Sequence, residues 1–192
     1  MTKIRAALVL KYRESVDSTL DTVEAHNDIF KKHGKVYIAK FGVPIIGYAL
    51  LRLGDAVDLS LILLRRRGDA LGIFQAHVEK MVTSRPPKEL YPAYYRSLTQ
   101  IGNWFCLNSS LNPIRQDELD KWVIATSGSP VASTLLHSTR TYVSAVYSKD
   151  LAQYQAVLKK APKTVRVPAV RTPKLPSFDD SLIDPDSEDI NL

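Results

Sequence analysis

The side chains best suited to chemistry in this sequence are aromatic and basic, and both kinds suit binding. Tyr37, Phe41, Tyr48, Trp104 and Phe105 come from three segments that can surround one concavity. Aromatic faces stack on flipped or unpaired bases, each stack contributing on the order of 1–3 kcal/mol. Successive side chains of a strand alternate in direction, so Tyr37 and Phe41 share one face whereas Trp104 and Phe105 point oppositely. Not all of them can line one pocket. The run Arg65-Arg66-Arg67 offers guanidinium groups to phosphate, although a hairpin tip of that composition serves solubility equally well.

Reactive constellations do not stand out beside these. The sequence holds no nucleophile elbow, P-loop or Gly-rich dinucleotide fingerprint. His26, His33, His77 and His137 include no metal-ligand pair at helix spacing with an added carboxylate, so neither metal nor cofactor is expected. A spatial cluster of His26, His33 and His77 is the one metal arrangement left open. Glu24, His26 and Asp28 read as the solvated face of an exposed helix. His77, inside the apolar run Phe74-Gln75-Ala76-His77-Val78, reads as a hydrogen-bonded structural group. Cys106 is the only cysteine, which excludes an intramolecular disulfide and a four-cysteine zinc site. Its neighbours Trp104, Phe105 and Leu107 point to a buried, inert thiol. The chain is expected to bind rather than to catalyse.

Composition supports an ordinary core: 45% of residues are hydrophobic, including nine Tyr, five Phe and two Trp. No apolar stretch approaches the ~20 residues of a membrane span, and the amino-terminal run is too short for a signal-peptide core. A cytoplasmic protein without membrane contact is expected. The net charge of +6 is unevenly placed. Residues 161–192 carry four basic and six acidic side chains, a balance of −2, which leaves +8 on the first 160. Such a body favours polyanionic partners. The prolines at 162, 168, 173, 176 and 185 and the acidic end predict an extended, disordered tail. The acidic end can also fold back over the basic body and compete with a polyanionic ligand.

The elements that must position these groups all lie in residues 1–160, read as one α+β domain of about six strands and four helices. Ile4–Leu10 is a β-rich start. Ser18 or Asp21 caps a helix to Lys32 with Leu20, Val23, Ile29 and Phe30 as its apolar positions, and Gly34 ends it. Residues 35–41 alternate as a half-buried strand, and Pro44 opens a short helix through Leu53. Asp58–Arg65 and Ala70–Val82 form a hairpin with a basic tip, the second strand bent at Gly72 by a bulge. A proline-rich loop precedes a strand at Ile101–Asn108. Pro113–Trp122 is a short helix or turn, and Ser129-Pro130 caps a helix to His137. Thr139–Tyr147 is a final strand and Asp150–Lys159 a terminal helix. Strands mixed with short helices suit a small, mainly antiparallel sheet or barrel with flanking helices.

The order of features resembles the PUA-like superfamily, and more particularly its EVE and EVE-like members, over about residues 3–148. The resemblance is carried by the segment His33-Gly34-Lys35-Val36-Tyr37-Ile38-Ala39-Lys40-Phe41-Gly42 and by Arg67-Gly68-Asp69-Ala70-Leu71-Gly72-Ile73-Phe74-Gln75-Ala76-His77-Val78. Tyr91-Pro92-Ala93-Tyr94-Tyr95, Asn103-Trp104-Phe105-Cys106-Leu107 and Ser127-Gly128-Ser129-Pro130 continue it. It implies a binding fold whose relatives hold nucleic acid, often with a modified or flipped base in an aromatic pocket, in anti-phage defence and modification-dependent restriction. This sequence contains no attached motor or nuclease domain, which puts a complete restriction activity in doubt. The candidate nucleic-acid or nucleotide contacts are Tyr37, Lys40, Phe41, Arg65, Arg66, Arg67, His77, Trp104, Ser127 and Ser129.

The leading expectation is therefore a non-catalytic module for DNA or RNA. Two others stand beside it: a binder of a small nucleotide signal, and a protein-interaction or inhibitor subunit acting through its tail.

Overall fold

The computed structural model describes residues 2–14, 19–41, 53–136 and 141–160. The strands are β1 (Ile4–Glu14), β2 (Val36–Phe41), β3 (Val57–Arg67), β4 (Ala70–Val82), β5 (Ile101–Leu107), β6 (Asn112–Pro113), β7 (Trp122–Ile124) and β8 (Tyr142–Tyr147). Among the described residues the α-helices are α1 (Thr22–His33), α2 (Gln116–Leu119), α3 (Val131–Leu136) and α4 (Leu151–Lys160). The protein is thus α+β, as expected. No helix among these residues is long and apolar enough to cross a membrane.

The strands form one eight-stranded sheet in the order β2-β5-β4-β3-β1-β8-β7, with β6 beside β4. Its hydrogen-bonded path is open, and its pairs are antiparallel except at the centre, where β1 runs parallel to β3 in register from Ile4↔Val57 to Glu14↔Arg67. Parallel neighbours need a crossover, and α1 with β2 provides it. The near-continuous apolar runs of β1 and β3 belong to strands buried on both faces. Alternation sorts their side chains into two cores. Ala7, Val9, Ile62 and Leu64 face Leu119, Trp122, Val131 and Leu135, whereas Leu8, Leu61 and Leu63 face Val23, Ile38, Phe105 and Leu107. Each fully buried leucine, isoleucine or phenylalanine contributes roughly 1.5–3 kcal/mol.

Several expectations need correction. β2 is not half-buried: Val36 to Lys40 are all buried. Val36 and Ile38 face inward, while Tyr37 and Ala39 pack beneath Leu90, Tyr91 and Tyr95 of the proline-rich loop, whose covering role no alternation reveals. β4 is continuous through Gly72, which pairs in register with Arg65; the irregularity falls between Val78 and Lys80, where β4 turns from β3 to β5. Gly72 is instead a close approach, since a Cβ there would lie 2.7 Å from the Phe74 ring. That ring carries the Arg65 guanidinium 5.0 Å from its centroid.

The helix at residue 22 is capped by Asp21, whose carboxylate accepts from the Val23 and Glu24 amides at 2.9 and 3.0 Å. Gly34 ends it at φ 69°, the left-handed conformation glycine tolerates. Leu20 is exposed and lies before the helix. His26, expected on the exposed face, is fully buried three residues after Val23. Pro113–Trp122 is not one helix or turn: it holds the end of β6, the single-turn α2 and the start of β7. Strands of two and three residues are too short to show a period. Residues 44–52 of the predicted Pro44 helix, Tyr48, His137 and the tail at 161–192 lie outside the described residues.

Candidate functional site

The concave side of the sheet holds a cavity of about 460 Å³. Its position follows from register. Leu10 lies between Leu63 of β3 and Tyr142 of β8, and Tyr12, two residues on, faces the same way. Ile38, Ala39, Lys40 and Phe41 bring β2 to the opposite wall, and the turn containing Tyr94 and Tyr95 supplies another. Lys40 links the two sides, with Nζ 4.5 Å from the Tyr142 ring centroid and donating to the Phe41 carbonyl at 3.1 Å. Phe41 is 49% exposed and tilts against Tyr95 at 6.0 Å between centroids, so it marks the mouth. Apolar and aromatic walls with a few polar groups, here Lys40, Thr22 and Thr141, are what a small-molecule site of this volume is built from; the Lys11 ammonium is turned to the other face, where it donates to the Leu135 carbonyl at 2.7 Å.

A buried polar network supports one wall. Glu14, the last residue of β1, accepts from the Thr22 amide at 2.8 Å and its hydroxyl at 2.7 Å. Arg65 lies 3.6 Å from the other Glu14 oxygen and donates to Asp21 at 2.7 Å. Burial would raise the Asp21 carboxyl, but the Glu24 amide and the Arg65 side chain outweigh it and hold its pKa below the ordinary value. Burial pushes the Tyr12 and Tyr94 hydroxyls well above the usual tyrosine range. His26 donates from Nδ1 to the Thr22 carbonyl at 2.6 Å, while its Nε2 is buried with no hydrogen-bond partner. Desolvation lowers its pKa to about 4 despite that bond. Tyr94 and Tyr95 pack edgewise on the ring.

Of the candidate residues, Lys40 and Phe41 line this cavity. Tyr37 and Trp104 are together on the far face of β2 and β5, packed with Tyr91, Tyr95 and Cys106. Trp104 is 1% exposed, with Tyr91 and Tyr95 at 4.8 and 5.5 Å between centroids, and has no free face for a ligand. The arginine run is divided by the pleat. Arg65 is spent on Asp21 and Glu14, and Arg67 shares its face, whereas Arg66 points to the opposite side.

His77 stands apart from the cavity, with Nε2 2.7 Å from Asp58 and Nδ1 2.6 Å from Asn108. Ser127 and Ser129 form the small loop before α3, where the Ser129 amide donates to the Ser127 hydroxyl at 3.2 Å. No three histidine, cysteine, aspartate or glutamate side chains among the described residues gather as a metal site.

The sequence reading missed Tyr12, Tyr94, Tyr95 and Tyr142. Alternation from Leu8 through Leu10 places Tyr12 on the inner face, a signal that was present. Tyr94 and Tyr95 sit in a non-periodic loop, and the approach of Tyr142 to β2 is tertiary. No protein-family model matches this sequence, and no curated protein matches it.

Proposed function

We propose that the chain is a nucleic-acid-binding module of the PUA-like kind that holds a flipped or modified base in the cavity beside β2. The observation that carries this reading is the pairing of an aromatic-walled space of about 460 Å³ with an exposed Phe41 at its mouth and Lys40 beside it. A planar ring entering there would meet Tyr12, Tyr95 and Tyr142, and Phe41 would stack on it or on its neighbour. The curved, mostly antiparallel sheet with α1 against its concave core favours the same reading. So does the +8 charge of the first 160 residues, which draws a polyanion toward the site.

The test is binding of fluorescent single- and double-stranded DNA and RNA, with and without modified bases, at two salt concentrations and beside a nucleotide panel. Saturable binding that weakens with salt and prefers one modification is expected. Because Phe41 is exposed, Phe41→Ala removes a stacking face without opening the core. It should weaken binding about 5- to 150-fold, the equivalent of one lost stack of 1–3 kcal/mol. Unchanged affinity and an unchanged base preference in that variant would remove the cavity from the mechanism. The same space also fits a free nucleotide, which would show a far smaller salt dependence than a strand.

A further inference from the structure

We infer that Arg13 and Arg66 form a phosphate site at the carboxyl ends of β1 and β3. The two residues are direct register partners on adjacent parallel strands. Neighbouring strands lie about 4.8 Å apart, and partnered side chains share a face. Both arginines are exposed, and neither has an ion-pair partner among the described residues.

The neighbouring arginine of β3 is neutralised, and these two are not. Arg65, on the other face, is answered by Asp21 at 2.7 Å and Glu14 at 3.6 Å. Like charges directly abreast on a sheet destabilise it unless something of opposite sign joins them. Arg13 and Arg66 therefore present two guanidinium forks whose geometry suits the oxygens of one phosphate or of two successive ones. Leu71, register partner of Arg66 on β4, is also exposed on this face and brings no carboxylate to the site. The pair lies on the face of the sheet opposite Tyr12, which lines the cavity, and one residue further along β1, so a strand held in the cavity by a base would reach it by passing its backbone over this end of the sheet. In that respect the inference rests on the function proposed above, but the phosphate site itself does not.

The experiment compares the full chain with Arg13→Gln/Arg66→Gln, using single-stranded DNA titrated over a range of salt and, separately, inorganic pyrophosphate followed by arginine Nε–H NMR. Lys159→Gln/Lys160→Gln is the charge-matched control. These lysines end α4, which packs against Ile4 at the opposite end of β1. Removing two phosphate contacts should lower the slope of log affinity against log salt by on the order of 1.4 for a single strand. The loss should be equal across base modifications, and the control should leave the slope unchanged. Pyrophosphate should shift the Arg13 and Arg66 signals of the wild-type protein. If DNA does not bind but pyrophosphate shifts both arginines, the phosphate site stands and the base-holding role of the cavity falls. Equal slopes in the variant and control, with no pyrophosphate shift at either arginine, would overturn the site.

Discussion

His26 shows how a single residue can be wholly legible as a type and misread as a place. Its neighbours Glu24 and Asp28 are exposed, as a solvated helical face requires, and sequence alone assigns the histidine to that face. The ring is instead buried against Tyr94 and Tyr95, because the proline-rich loop, with no period of its own, covers α1. Burial has a measurable consequence. Its ordinary pKa of 6.5 falls to about 4 in the folded protein. Between those values the unfolded chain takes up a proton that the folded chain refuses, so stability rises with pH across that window. It should be complete above pH 6.5 and fall by on the order of 3 kcal/mol as the pH drops toward 4. Asp21 and Asp150, both held below their ordinary value of 3.8, lose their contribution only at lower pH. Urea denaturation from pH 8 to pH 4 should show this fall in the wild-type protein and little of it in His26→Gln. Equal pH profiles would mean that water reaches the ring in the folded state. Trp104 was misplaced for a related reason: alternation gave its direction, but not the tyrosines that fill the space it points into.

The Asp21 carboxylate ties α1 to β3 beside the Glu14 carboxylate of β1. It accepts two amide hydrogen bonds at the start of α1 and an ion pair from β3. Loss of an N-cap alone costs about 0.5–2 kcal/mol. Asp21→Ala should cost about 2–3 kcal/mol, because it also leaves Arg65 with only the longer contact to Glu14. Asp21→Asn keeps the cap acceptor and gives up the charge, so it should cost less than half as much. Denaturant midpoints of the two variants decide this, and equal losses would assign the whole effect to the ion pair. The cap, the glycine stop and the hairpin of β3 and β4 were all readable, since each is local chemistry. The two-sided burial of β2, the close approach at Gly72 and the short strands β6 and β7 were not. Each is created by residues distant in sequence: β2 by Leu90 to Tyr95, and β6 by its pairing with Phe74 and Gln75.

Across the whole molecule, the two central strands separate one apolar core from another and leave the polar network, the cavity and the arginine pair near the carboxyl end of β1. The described cores are closed by residues 4–158, with Tyr154, Val157 and Leu158 of α4 packed on Ile4 and Ala6. Residues 161–192, with five prolines and six acidic side chains, have a composition poor at closing a core, so their deletion should leave the thermal midpoint within about 2 °C, the shift produced by a few tenths of a kcal/mol in a domain of this size. Binding should respond differently. The deletion removes a balance of −2 and raises the net charge from +6 to +8. The tail's acidic groups are tethered to the body at high effective concentration, where they compete with a polyanion for its basic groups. Single-stranded DNA should therefore bind several-fold more tightly to residues 1–160 than to the full chain at low salt, and the difference should shrink as ionic strength screens the interaction. A tail that presents its prolines to a protein partner predicts no such dependence: DNA affinity indifferent to the deletion at every salt concentration. A change in the midpoint well beyond 2 °C would instead make the tail part of the folded unit.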